Sequence, residues 1–149
     1  MVWNLRKYKD LTLDEFHNIL KLRINVFVVE QDCPYPELDG KDKLAYHFFA
    51  FAENNPSQII AYTRIFKPGD YYKEAAIGRV VVHPDFRKDG LGYQLMKESI
   101  YQIKALFQTK KIKIGAQTYL KEFYESLGFQ KIGKDYIEDG IPHIYMIIS

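Results

Sequence analysis

The sequence contains a single cysteine, Cys33, among 149 residues. That excludes an internal disulfide framework and points to a reducing compartment. No apolar run approaches the roughly 20 residues of a membrane-spanning helix. The opening Met1-Val2-Trp3-Asn4-Leu5-Arg6-Lys7 lacks an apolar core of signal-peptide length. A soluble, cytoplasmic protein with no membrane partner is expected. Charge of one sign is scarce too: 21 Lys and Arg stand against 19 Asp and Glu, for a net charge of +2. No basic run is longer than Lys110-Lys111, so a nucleic-acid partner is disfavoured. His17, His47, His83 and His143 show no metal-ligand spacing, and no metal site is expected. With no repeat, low-complexity tract or Gly/Ser linker, residues 1–149 read as one domain large enough to bury a core.

Aromatic residues are plentiful, with 12 Tyr and 10 Phe, which suits half-polar pocket positions. Val2 to Tyr8 reads as a first strand. Thr12-Leu13-Asp14-Glu15 forms a capping box, and Leu13, Phe16, Leu20, Ile24 and Phe27 follow on one helical face that fades near Glu30. Gln31 to Lys43, with two prolines and a glycine, reads as a long loop of the kind that carries function. Tyr46 to Ala52 and Ile59 to Phe66 are β-rich runs joined by a hairpin at Asn54-Asn55-Pro56-Ser57. Ala75 to Val82 is another strand, Gly90 to Phe107 a long amphipathic helix, and Ile112 to Ala116 a short apolar strand. Leu120 to Leu127 is a last helix ended by Gly128. Phe129 to Ile132 and His143 to Ile148 form a closing pair around Asp139-Gly140. The order predicts the α/β (α+β) class: a mixed sheet with helices on both faces and a right-handed parallel crossover between Ala75 and Ala116.

The densest signal is Gly78 to Gln94, where three valines run through a turn into Arg87-Lys88-Asp89-Gly90-Leu91-Gly92-Tyr93 at the mouth of the long helix. The first turn of a helix has unsatisfied N–H groups and a partial positive charge, and glycine lets a phosphate approach the backbone. One such helix end contributes only about 0.3–2 kcal/mol toward an anion, so several donors must act together. No Gly-Lys-Ser/Thr follows, which excludes a Walker loop. The third glycine of a dinucleotide fingerprint is also missing.

Arg-x-x-Gly-x-Gly between a strand and a long helix, followed by Tyr124-x-x-x-Gly128-Phe129, resembles the GNAT N-acetyltransferase superfamily. Gln117 and Leu120 stand where that family usually has Asn and Ala. Further elements (Glu30-Gln31-x-Cys33-Pro34-Tyr35-x-Glu37-x-Asp39, His47, Gly78-Arg79-Val80 and Glu138-Asp139-Gly140-Ile141-Pro142-His143) look like its ElaA-like branch. The resemblance implies a mostly antiparallel sheet with a splayed central parallel pair. It also implies acetyl-CoA as acyl donor and an amine as acceptor. The coenzyme is then held by the backbone of Val80, Val81 and Val82 and of Arg87, Lys88, Asp89, Gly90, Leu91, Gly92 and Tyr93, with Gln117 and Tyr124 nearby. Tyr124 occupies the position of the family's thiol-facing tyrosine, and the alternative reading of it is a core aromatic.

An alkyl amine is protonated near neutrality, and exposing its lone pair costs about 4–5 kcal/mol. A base is therefore needed, and Glu30 is the candidate, with His47 and His143 as alternatives. Tyr35, Glu37 and Asp39, with Asp42, are candidates for an acidic acceptor mouth, and His47, Arg79 and His143 for further acceptor contacts. Arg79 could equally pair with one of those carboxylates. The competing function is a non-catalytic acyl-CoA binding or sensing domain. Monomer and homodimer both remain open.

Overall fold

The computed structural model describes residues 1–149. Seven strands form one sheet in the order β1-β2-β3-β4-β5-β7-β6. They are β1 (Val2–Lys7), β2 (Tyr46–Ala52), β3 (Asn55–Phe66), β4 (Ala75–Val82), β5 (Ile112–Gln117), β6 (Gln130–Glu138) and β7 (Ile141–Ile148). Three α-helices intervene: α1 (Leu13–Ile24), α2 (Leu91–Phe107) and the short α3 (Lys121–Glu125). All neighbouring strands are antiparallel except β4 and β5, which the α2 crossover makes parallel.

The two helical faces bury different sides of the sheet because strand side chains alternate. Ile19, Leu22 and Val26 pack against Phe49, Ile59, Tyr62 and Val81. On the other side Leu95, Met96, Ile100 and Ile103 of α2 meet Phe48, Ala50, Ala61, Ile65 and Ile77. Ser99 adds a buried hydrogen bond of 2.8 Å to Thr63, fixing α2 over β3.

The Thr12/Glu15 capping box forms in both directions, at 2.9 and 3.0 Å. The helix it starts is turned from the predicted stripe: Leu13 is 90% exposed, and the buried face is Ile19, Leu22, Arg23 and Val26. An arginine within that face explains the difference, because its charge hid the period. A π-helical turn, Asn25–Glu30, continues the helical path to the expected end.

Two hairpin boundaries also shift. The β2–β3 turn is at Glu53-Asn54, so Asn55, Pro56 and Ser57 already belong to β3. They lie beyond the reach of β4, whose pairing with β3 ends at Ala61, so Pro56 interrupts no ladder on that side. The closing strands are longer than predicted. A register shift between Ile132 and Tyr136, with Gly133 at φ 69°, breaks the alternation that would have revealed β6. Gly128 adopts φ 100°, the left-handed cap conformation.

Candidate active site

α2 begins at Leu91, and Gly90 before it has φ 72°. The first helical hydrogen bond is from Gln94 N–H to Gly90 C=O, at 3.0 Å. The backbone N–H groups of Arg87 through Tyr93 therefore make no hydrogen bond within the protein: seven consecutive donors at the positive end of a 17-residue helix. Asp89 at φ 61° and Gly90 at φ 72° put two consecutive positive-φ residues directly before the helix, within the run of donors.

The turn is clamped from behind. Arg87 donates from Nε to the Val82 carbonyl at 3.0 Å, and its two terminal nitrogens grip Glu30 at 2.8 and 2.6 Å. The hydrogen bond from Arg87 is the main reason the Glu30 carboxyl lies below its ordinary range, with its modest desolvation opposing. Because the N–H of His83 donates to Ile60 at 2.8 Å, antiparallel alternation turns the amide of Val82 away from β3.

β4 and β5 pair at only two positions, Ala75 with Ile112 and Ala76 with Lys113, and then diverge. On the β3 side, Tyr62 pairs with Val81 and Arg64 with Gly78, so Arg79 and Val80 have no partners of their own. This is a β-bulge, with Arg79 at φ 50°. A left-handed arginine is strained by about 1–3 kcal/mol. Its side chain is anchored to Glu37, with Nε donating to the carboxylate at 2.9 Å and a terminal nitrogen to the Glu37 carbonyl at 3.1 Å.

The divergence opens a cavity of about 370 Å³ between Ile77–Val80 and Ile114–Gln117. Tyr124, Tyr35, Cys33, Glu138 and His143 also line it. The Tyr124 ring is buried against Phe123 and Phe129, and its hydroxyl makes no hydrogen bond within the protein. Burial, with a smaller contribution from Tyr119, pushes the Tyr124 phenol well above its ordinary pKa, so it stays protonated. A second cavity of about 400 Å³ lies between α1 and the β2–β3 hairpin; its one imidazole, His83, already accepts from the Asp85 N–H.

Residues 14–149 match the family model described as acetyltransferase (GNAT) domain. The chain belongs to the GNAT family. Protein ElaA of Escherichia coli K12 is 37% identical over 144 residues, covering 97% of this chain and 94% of the relative. The crystal structure of E. coli ElaA superposes with a TM-score of 0.89 at 35% identity, covering 99% of each chain. That of an acyl-CoA N-acyltransferase from Pseudomonas aeruginosa gives 0.92 at 37% identity over all of both chains. This GNAT chain is thus an ElaA-like acyltransferase, and the mixed sheet with a parallel central pair is the family fold.

Within this GNAT frame the predicted site residues separate. Val80, Gln117 and Tyr124 line the gap; Val82 and Arg87–Tyr93 are outside its lining, with Gly92 at the start of α2 packed near Phe123 and Val82. Val81 points to the other face, into the α1 cluster, leaving only its backbone on the strand. Gln117 donates to Gln31 at 3.3 Å. Glu30 is not in the cavity: its carboxylate is spent on Arg87 at the helix end, so the geometry withdraws its candidacy as base.

The acidic mouth is corrected as well. Arg23, Arg64 and Arg79 meet Glu37, Asp39 and Asp42 in one cluster of three cations and three anions. Arg23 and Arg64 are essentially unexposed, so the loop carboxylates neutralise buried guanidinium groups and offer no free charge to an acceptor. Tyr35 does line the cavity, over Arg79 and 3.3 Å from Glu37.

His47 is sealed at 0% exposure. Its Nε2 lies 2.9 Å from the Asp42 carbonyl and its Nδ1 2.6 Å from the Tyr62 hydroxyl. Both nitrogens are satisfied, so His47 is a core histidine and contacts no acceptor. Sequence reasoning missed Glu138 and the Arg23–Arg64 pair. The arginines are separated from their carboxylates by 14 to 25 positions, and no local spacing reveals them.

Proposed function

We propose that the chain transfers an acetyl group from acetyl-CoA to a primary amine. The observation that carries this reading is the run of seven unpartnered N–H groups at Arg87–Tyr93, at a helix start that packs near Phe123, the chain neighbour of the cavity-lining Tyr124. A diphosphate satisfies several of those donors at once, which one helix end alone cannot turn into affinity. Extending from there, the coenzyme's arm follows the outward-turned amide of Val82 and fills the gap between β4 and β5. The unpaired backbone of the Arg79–Val80 bulge faces the thioester carbonyl and steadies its oxyanion.

Tyr124 then acts as general acid toward the departing thiolate. A buried phenol that stays protonated at neutral pH, with no competing partner, suits that role. The acceptor enters from the opposite mouth, between Tyr35 and the β6–β7 turn.

The test is calorimetry with acetyl-CoA, followed by thiol release with a panel of primary amines. Tyr124→Phe is expected to leave coenzyme affinity within about twofold while lowering kcat about 100-fold or more. Absence of binding heat, or unchanged turnover in the variant, would overturn the coenzyme site or the acid role respectively.

A further inference from the structure

The two interior histidines of the sheet have opposite hydrogen-bond accounts. His47 is satisfied at both nitrogens. His143, on β7 and only 8% exposed, has Nδ1 at 2.7 Å from the Ile141 carbonyl. A carbonyl oxygen only accepts, so Nδ1 carries the hydrogen and the neutral ring keeps its lone pair on Nε2. That nitrogen faces the Glu138 carboxylate at 3.6 Å, too far for a direct hydrogen bond. Two acceptors thus converge with no donor between them, at the edge of the cavity. Stacking on Tyr136, with centroids 5.6 Å apart, holds the ring plane.

The other proton acceptors of the cavity are spoken for or stand in solvent. Asp39 is held by Arg64 and reached by Arg79, the Cys33 thiol donates to the Asp139 carbonyl at 3.4 Å, and Gln117 is bonded to Gln31. Asp139 is exposed on the turn. The geometry points to His143 Nε2 as the group that takes the proton from the incoming amine, with Glu138 drawing the ammonium into place; the assignment rests on the acetyl-transfer reading above.

R–NH₃⁺ gives one proton to Nε2, forming the imidazolium beside Glu138. The freed lone pair forms the C–N bond at the thioester carbonyl, and collapse breaks the C–S bond. The thiolate takes the Tyr124 proton, and the nitrogen's remaining surplus proton returns to the phenolate. The imidazolium then loses its proton to solvent. The groups facing His143 are Glu138 and Tyr136 from β6, Asp139 from the turn and Gln117 from β5. Across the cavity stand Arg79 of β4, Tyr124, and Tyr35, Asp39 and Lys41 of the loop.

The experiment uses the full chain. Imidazole ¹⁵N NMR is expected to show His143 as the Nδ1–H tautomer, and E138Q is expected to raise the KM of the probe amine several-fold because the ammonium loses its carboxylate. With acetyl-CoA and 2-phenylethylamine as probe amine, kcat/KM is expected to fall toward acid pH, where a protonated ring cannot accept the amine's proton. H143Q is expected to abolish this acidic limb and lower kcat about 100-fold, with coenzyme affinity unchanged by calorimetry. An Nε2–H tautomer, or an acidic limb that survives H143Q, overturns the assignment. If 2-phenylethylamine is not acetylated by the wild type, the tautomer decides. Missing coenzyme heat in the wild type sinks the transferase reading and this assignment together. Normal heat with an unaltered H143Q profile sinks this assignment alone.

Discussion

Arg23 shows how one side chain can set the chemistry of a whole loop. It sits at 0% exposure among core residues, bonded to Asp42 at 2.8 Å and Glu37 at 3.3 Å. Replacing it with methionine leaves three buried or half-buried carboxylates with only Arg64 and Arg79 to balance them, and the expected loss is about 3–5 kcal/mol in urea unfolding. The same cluster gives stability a pH dependence. Burial raises the Asp39 pKa, but hydrogen bonds from Arg64 and the Lys41 amide, with the charges of Arg64 and Arg79, outweigh it and hold the carboxyl well below its ordinary value. Burial of Asp42 is likewise outweighed, by Arg23 and Arg64. A folded pKa below the unfolded one contributes stability that is present above about pH 4 and lost as pH falls further. Asp39→Asn is therefore expected to destabilise the protein at pH 7 and to matter progressively less toward pH 2. Urea melts across that range check the convergence.

The start of α2 distinguishes two glycines that look alike in the sequence. Gly90 has φ 72° and no neighbour within 4 Å of an added Cβ, so its requirement is conformational. Gly92 has ordinary backbone angles, and a Cβ there meets Phe123 and Val82 at 3.8 and 3.9 Å, ordinary contact. Gly90→Val is expected to lose about 1–2 kcal/mol of stability and most acetyl-CoA affinity, whereas Gly92→Ala keeps wild-type stability within about 0.5 kcal/mol. Thermal melts and calorimetry on the two variants separate these effects. This element was legible beforehand, because a glycine-bearing turn between a valine strand and an amphipathic helix is a local pattern. The bulge at Arg79 was not, since a left-handed arginine becomes visible only when Glu37, 42 positions away, is seen to hold it. The histidines divide in the same way. His47 and His143 each lie among β-rich residues and each bond one carbonyl, and only the Tyr62 hydroxyl on the second nitrogen of His47 tells the saturated ring from the one with a free nitrogen.

The molecule consists of two antiparallel blocks, β1-β2-β3-β4 and β5-β7-β6, joined in the sheet by the two register pairs at Ala75–Ala76. Below that short seam the blocks touch through α2, the loop and the cavity walls, and nowhere by strand pairing. They resemble covers hinged along part of a spine. A molecule lodged between them substitutes for the missing rungs and binds the folded chain only. Saturating acetyl-CoA at about 100 times its Kd is therefore expected to stabilise the fold by about 2.7 kcal/mol. Hydrogen exchange should slow most at the facing backbones of 78–82 and 114–117. Equal slowing across β1 and β2 would mean the covers do not part, and that the spine is stiffer than its two rungs imply.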